Sequence, residues 1–514
     1  MHPLSSFILE SASKMINFFS QLKEMKLLIG SILFFAFFMS ILSDYFFWDA
    51  AIIEVAILEN NFSGLRELTN ISGLQINFWY FFLSYKLSQL LTIPAGVIFT
   101  CTLLLWMLGL VREDGIFCVN NLQFHDREAY FLKCIIFALP LWNILASQVL
   151  HFYIFTYYLL FLGFNLFKSK SFLCKFLGLV CFAISFGNAV NNLMVMALFT
   201  MPLIQSLASK ERKELKANIY NFIAISLFSI LFFITYRAFF PPIDSFETYN
   251  SLALVVINNY IYGALVYGFW FLISIIIFAF SLLVAKLLQS KIQFNSNVNL
   301  RDTFSLLATL FLLMCAAIPY IAVTKQPPTD TIQVWEARHA LLFFLILVPF
   351  IVSLNKLFLK ESRLALTVFV FFLLSISAHH HIGKVYDELY FSILEESLPD
   401  EPPKPGFILI NSDLSFSNAL RKYELGNVFY KKYNAIEWHI EMADDIPDWA
   451  KDNNLKNPYL GLSKMAHLVG KNFNCVTAIS IEPNEVDTHD LIDWVLYEKI
   501  PKTEAKITRE DCAN

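Results

Sequence analysis

The chain has 514 residues, 57% hydrophobic and only 16% charged, with a net charge of −4 and a mean hydropathy of +0.56. Soluble domains carry about 25% charged residues, whereas a bilayer core about 30 Å thick needs about 20 apolar residues per helical span. These figures exclude a soluble enzyme, a fibrous protein and a disordered chain, and they predict an all-α polytopic membrane protein. The charge is unevenly spread: residues 391–514 hold 13 Lys and Arg against 21 Asp and Glu, which leaves +4 for residues 1–390. Two physical environments follow from that split.

In chain order, a cytoplasmic segment 1–25 precedes eleven expected spans near 26–43, 92–111, 131–148, 150–167, 172–190, 193–207, 217–239, 262–285, 303–323, 340–359 and 364–379. A first extracytoplasmic loop covers 44–91. The aromatic-rich stretch 78–90 and the stretch 252–261 read as helices lying at the headgroup boundary. With the N-terminus inside, 17 Lys and Arg fall on the inner side, against Arg66, Lys86, Arg237, Lys325 and Arg338 outside before the tail. That imbalance obeys the positive-inside rule and puts the C-terminus outside. No small-x-small cleavage site accompanies the first span, whose later residues Phe37, Phe38, Met39 and Leu42 are large, so it reads as a retained anchor. The transmembrane domain thus runs over 26–390.

The Pro cluster 401–405 marks a stiff boundary. The soluble extracytoplasmic domain 391–514 then reads as a small α+β unit, with strands at Phe407–Ile410 and Val476–Ile481 and a strand or short helix over 491–500. Six of the eight Cys lie in or beside spans; Cys475 and Cys512 alone fall in this domain. An oxidising exterior lets them pair, and two unpaired thiols is the alternative. Trp438, Trp449 and Trp494 suit either sugar stacking or the domain's own core.

Ionisable groups inside a membrane are costly, so those at span ends are where chemistry is expected. Asp44 and Asp49 stand at the outer end of the first span among Tyr45, Phe46, Phe47 and Trp48. Such a pair suits a general base, or the ligand set of a divalent cation, Mg or Mn, that neutralises a phosphate leaving group. The plainer alternative is a helix cap and a solvated rim charge. On the same face, Trp335-Glu336-Ala337-Arg338-His339 opens the tenth span. A guanidinium fork suits a lipid-linked phosphate, with His339 adding a hydrogen bond. A snorkelling arginine beside a belt tryptophan is the structural alternative.

Asn188, Asn191 and Asn192 sit at the outer turn between the fifth and sixth spans, and Tyr249, Asn250 and Tyr260 in the next outer loop. Their amides and hydroxyls suit sugar hydroxyls or, more plainly, the backbone groups of adjoining helix ends. His379-His380-His381 closes the last span, but neighbours on a helix point about 100° apart, so no face presents all three to a metal; His151 stands at another outer turn. The sequons at Asn61 and Asn70 matter only in a eukaryotic secretory pathway. No glycine-rich phosphate loop or basic stripe occurs in the sequence, which disfavours intracellular nucleotide use and a nucleic-acid partner.

The segment Trp48-Asp49-Ala50-Ala51-Ile52-Ile53, continuing to Ala56 and Asn60, resembles the Asp-Asp-Ala-aromatic-Ile pattern after the first span of GT-C type glycosyltransferases. The resemblance covers about a dozen residues and departs from the pattern at Trp48, where the family has its first Asp; Asp44 is the nearest substitute. Pro319-Tyr320 with Trp-x-x-Arg-His is similar to uncharacterised bacterial membrane proteins of that group. The resemblance implies a GT-C-like fold, a polyprenyl-phosphate sugar donor, a glycan, lipid or protein acceptor, and catalysis by the first-loop carboxylate, in a bacterial inner membrane. Two other classes fit the composition: a transporter or flippase for a lipid-linked glycan, and a non-catalytic membrane scaffold of the same fold.

Overall fold

Lys213–Phe239 and Asn259–Leu288, of 27 and 30 residues, are each long and apolar enough to cross a membrane. The computed structural model describes residues 26–33, 66, 75–93, 95–111, 126–140, 150–188, 190–209, 212–241, 257–288, 300–322, 327, 329, 339–359, 363–411, 422–435, 438–442, 475–483 and 503–512. After a helical stretch at 26–33, its helices are α1 (Gln75–Leu91), α2 (Ala95–Leu110), α3 (Asp126–Ala138), α4 (Leu150–Lys168), α5 (Phe172–Ser185), α6 (Val190–Ser209), α7 (Arg212–Phe239), α8 (Ile257–Leu288), α9 (Leu300–Ala322), α10 (Leu341–Phe358) and α11 (Arg363–Ser397). The two long crossings lie in α7 and α8. Leu227, Leu231 and Ile234 on α7 and Leu265, Leu272, Ile276 and Leu283 on α8 are each more than half exposed. Water-facing stripes of that extent are foreign to soluble monomers, whereas acyl chains cover them at no cost.

Several helices differ from the expected spans. Seven further helices are apolar but shorter, so among the described residues the eleven expected crossings reduce to two of full length. The third span, expected over 131–148, is α3, which starts at Asp126 and stops at Ala138, just before Pro140. Proline lacks the N–H a helix needs and clashes with the preceding turn. The stretch 78–90 becomes part of α1, folded back against α2. The Trp106 indole N–H donates to the Tyr80 hydroxyl at 3.0 Å, and these residues lie nearly equidistant from the Thr92 turn, so α1 and α2 run antiparallel. Of the expected interfacial stretch 252–261, residues 257–261 open α8, and 252–256 lie outside the described residues.

The bundle core is a continuous cluster fed by α1 to α11. α4 and α5 form an antiparallel hairpin whose backbones nearly touch where Gly163 faces Gly178. α10 lies within the core along nearly its whole length. Its antiparallel neighbour α9 and the parallel α8 are keyed to its start by the Tyr320–His339 and Tyr267–Phe343 ring contacts.

α11 spans 35 residues without a break. Its first half (Leu366, Phe369, Val370, Leu373) is buried in the bundle core, and its last turns (Tyr390, Phe391, Leu394) are buried in the tail. The tail adds β1 (Gly406–Asn411), α12 (Lys422–Tyr433), β2 (Trp438–Met442), β3 (Cys475–Pro483) and β4 (Thr503–Cys512). The sheet order is β2-β1-β3-β4; β1 is parallel to both β2 and β3, and β4 is antiparallel to β3. β1 and β3 cover the two stretches read as strands, and 491–500 lies outside the described residues. Trp438 is buried in the tail core, its indole donating to the Pro403 carbonyl at 3.0 Å, so it fills the domain and presents no sugar platform. Trp449 and Trp494 lie outside the described residues.

The Tyr433 hydroxyl ties α12 to the end of α11 by donating to the Pro399 carbonyl at 2.7 Å. Burial, and then the Asp400 carboxylate, push its pKa from 10 up to about 12. A folded-state pKa above the unfolded one means that the neutral phenol's contribution is complete below pH 10 and is lost as pH rises through about 12. Limited proteolysis of the tail across that window is expected to show an alkaline loss of protection, and Tyr433→Phe is expected to remove that step.

Candidate functional site

The start of α10 is the point on which buried polar groups converge. Residues 339–340 form a single tight turn ahead of α10, holding His339 inside the bundle, 6% exposed. The Tyr267 hydroxyl from α8 donates to the His339 carbonyl at 3.0 Å, tying α8 to the chain just ahead of α10. The Tyr320 ring from α9 lies across the imidazole, centroids 5.1 Å apart at 42°. Tyr157 from α4 is fully buried, its hydroxyl in electrostatic reach of the Tyr320 hydroxyl and of the Asn188 side chain. Neither the Tyr157 Oη nor the Asn188 Nδ2 closes a hydrogen bond of ordinary geometry. Polar groups so deep in an apolar core cost free energy when left unsatisfied.

The α5–α6 turn explains Asn188. Its backbone N–H donates to the Ser185 carbonyl at 3.0 Å, and the Asn191 N–H donates in turn to the Asn188 carbonyl at 2.9 Å. The Asn191 Nδ2 donates to the same Ser185 carbonyl at 3.0 Å, and Asn192 accepts from the Ser229 hydroxyl of α7 through its backbone and side-chain oxygens. Asn191 and Asn192 therefore serve the helix junction, while Asn188 alone of the three turns toward the tyrosines.

This convergence lies at the end of the bundle from which α11 leaves for the tail. α10 starts there and ends at Phe358, and α11 starts five residues on at Arg363. The Phe278–Phe369 contact and the Ser377 hydroxyl bond to the Ala138 carbonyl fix α11 antiparallel to α10. Asn188 and His339, singled out from the sequence, come together through residues it did not single out for this role. The available signal was tyrosine recurring near the same ends of the fourth, eighth and ninth spans. Asp44, Asp49, Arg338, Tyr249 and Asn250 lie outside the described residues; Tyr260 is in the first turns of α8, partly buried.

His151 belongs to a separate aromatic latch. Its Nδ1 lies 2.8 Å from the Tyr80 hydroxyl, which also takes the Trp106 bond, and it is buried at the start of α4. His379, by contrast, is exposed on α11. Among the described residues no group of three His, Cys, Asp or Glu gathers around a metal position, and the aspartates that Mg or Mn would use are not among those residues. Comparison with family models, curated proteins and solved structures finds no match to this chain.

Proposed function

We propose that the chain is an integral membrane glycosyltransferase of GT-C-like architecture. In this reading it has eleven crossings and an extracytoplasmic tail, and transfers a sugar from a polyprenyl-phosphate carrier to a glycan, lipid or protein acceptor at the outer face of a bacterial inner membrane. The observation that supports it is the convergence of Tyr157, Asn188, Tyr267, Tyr320 and His339. Charge alternation assigns all of them to the outer halves of their spans, and they meet where α11 departs for the tail. Sugar and phosphate recognition needs hydroxyl, amide and imidazole groups at such a membrane-edge end, next to a soluble domain that presents an acceptor.

In this reading Asp49, or Asp44, takes the proton of the acceptor hydroxyl as that oxygen attacks the anomeric carbon. The bond to the lipid phosphate breaks, and Arg338, adjacent in sequence to the buried His339, meets the negative charge that grows on the leaving phosphate. Asn188 and Tyr157 line the approach of the sugar. A divalent cation at the two aspartates would share the phosphate's charge.

Donor binding is the direct test. Purified protein in nanodiscs, titrated with a polyprenyl phosphate and separately with the neutral polyprenol, is expected to prefer the phosphate. Arg338→Ala is expected to weaken phosphate binding at least tenfold and Arg338→Lys less, because an ammonium keeps the charge without the fork. Equal binding of the two lipids, or an Arg338→Ala protein that binds as the wild type does, would remove the donor assignment.

A further inference from the structure

The two cysteines of the tail occupy opposing positions on neighbouring strands. In the β3–β4 ladder Cys475 is the direct partner of Cys512, followed by Val476 with Asp511, Thr477 with Glu510 and Ala478 with Arg509. The one irregularity in the ladder falls beyond these pairs, between Ala478 and Ile479. Directly opposed residues of an antiparallel pair have Cα atoms about 4.5–5.5 Å apart, inside the range of about 4.4–6.8 Å that a disulfide requires. Opposed residues also share a face of the sheet, so positions 475 and 512 lie on one face of the ladder. Period-two alternation puts position 475 on the face of Thr477 and Ile479, both buried.

We propose that Cys475 and Cys512 are joined by a disulfide that fastens the edge strand β4 to β3. Cys475 opens β3 and Cys512 closes β4, so the bridge closes a loop over the whole stretch between them, including 484–502. In its formation, an oxidised dithiol protein of the compartment forms a mixed disulfide with one cysteine. The thiolate of the other then attacks that cysteine's sulfur, forming the Cys475–Cys512 bond and expelling the carrier's thiolate. The two thiol protons and the two electrons pass to the carrier, which leaves as a dithiol. Carriers of that class act on the oxidising side of a membrane, so the bridge also fixes the side on which the tail lies. It stands independently of the glycosyltransferase reading.

The test is peptide mapping of the full chain, isolated from membranes of intact cells and alkylated without prior reduction. Trypsin is expected to release residues 472–499 linked to residues 510–514, a species that disappears on reduction. In Cys475→Ser, Cys512 is expected to become fully alkylated. Protease digestion of the tail should proceed at least tenfold faster after reduction of the wild-type chain, and no faster in Cys475→Ser. Recovery of both cysteines as alkylated thiols from the unreduced sample would overturn the proposal, as would linkage of either one to a different cysteine or to a second copy.

Discussion

A Gly178→Leu chain is expected to lose its native bundle. A Cβ at position 178 would lie 3.0 Å from the Gly163 carbonyl oxygen and 3.0 Å from the Phe167 backbone nitrogen. Both are main-chain atoms of α4, which a rotamer change cannot move aside. A Cβ at Gly163 would in turn meet the Gly178 carbonyl oxygen at 3.0 Å and the Phe182 ring at 2.9 Å. Contacts of this type, with small residues letting helix backbones approach, hold helix pairs together in a bilayer, where burial from water gives no help. Overpacking of a tight core costs about 1–3 kcal/mol for modest additions, and leucine adds four carbons against unyielding backbone. The loss extends beyond the hairpin, because separating α5 from α4 carries Asn188 away from Tyr157. Gly268 is the control: no atom outside its own helix lies within 4 Å of its Cβ position, so Gly268→Ala should be neutral or stabilise by up to about 1 kcal/mol from helix propensity. Thermal unfolding in detergent, with the monodisperse fraction on gel filtration, reads both. A Gly178→Leu protein that melts like the wild type would mean that the hairpin is not packed as described.

The second large effect is chemical. Under the glycosyltransferase reading, Asp49→Asn is expected to lower the rate of sugar transfer by about 10²–10⁴-fold, the usual worth of a general base, while leaving binding of the polyprenyl phosphate unchanged. Asparagine keeps the size and hydrogen-bonding reach of the side chain and removes only its basicity, so the rate isolates proton transfer. If Asp44→Asn carries the loss and Asp49→Asn does not, the base is Asp44, as the tryptophan at position 48 allows. If both variants transfer at the wild-type rate, neither aspartate is the base; if the wild-type chain transfers no sugar while phosphate binding persists, it holds a lipid-linked glycan without reacting it. The flippase or scaffold reading would then take over.

What the sequence made legible divides along physical lines. Long uniform apolarity is a one-dimensional signal, so α7 and α8 are placed by composition alone, and β1 and β3 fall on the two stretches read as strands. Helix ends in the crowded region were harder, because apolar runs there follow one another without polar breaks. Pro140 stops α3 early, a local rule that the hydropathy of 131–148 conceals. The pairing of α1 with α2 was not readable either, since Tyr80 meets Trp106 and His151 only through tertiary packing. The candidate site shows the same division. His339 and Asn188 stand out as polar residues at span ends, but their connection runs through Tyr157 and Tyr320, which in sequence look like two more aromatics among many. Cys475 and Cys512 could be named as a pair by elimination from the spans, whereas their register came only from the ladder.

The unbroken course of α11 sets the phase of the tail as well as its height. At about 1.5 Å and 100° per residue, the 35 residues of α11 form a shaft about 52 Å long, keyed at one end into the bundle and at the other into the sheet. One residue inserted after His381 would lift the sheet by only about 1.5 Å but swing it about 100° around the shaft, turning another face of the tail toward the bundle mouth. Seven inserted residues, close to two full turns, would bring the original face back at a standoff about 10 Å greater. Facing and distance can thus be varied almost independently, and whatever the tail presents to the membrane surface should follow the count of residues modulo a helical turn.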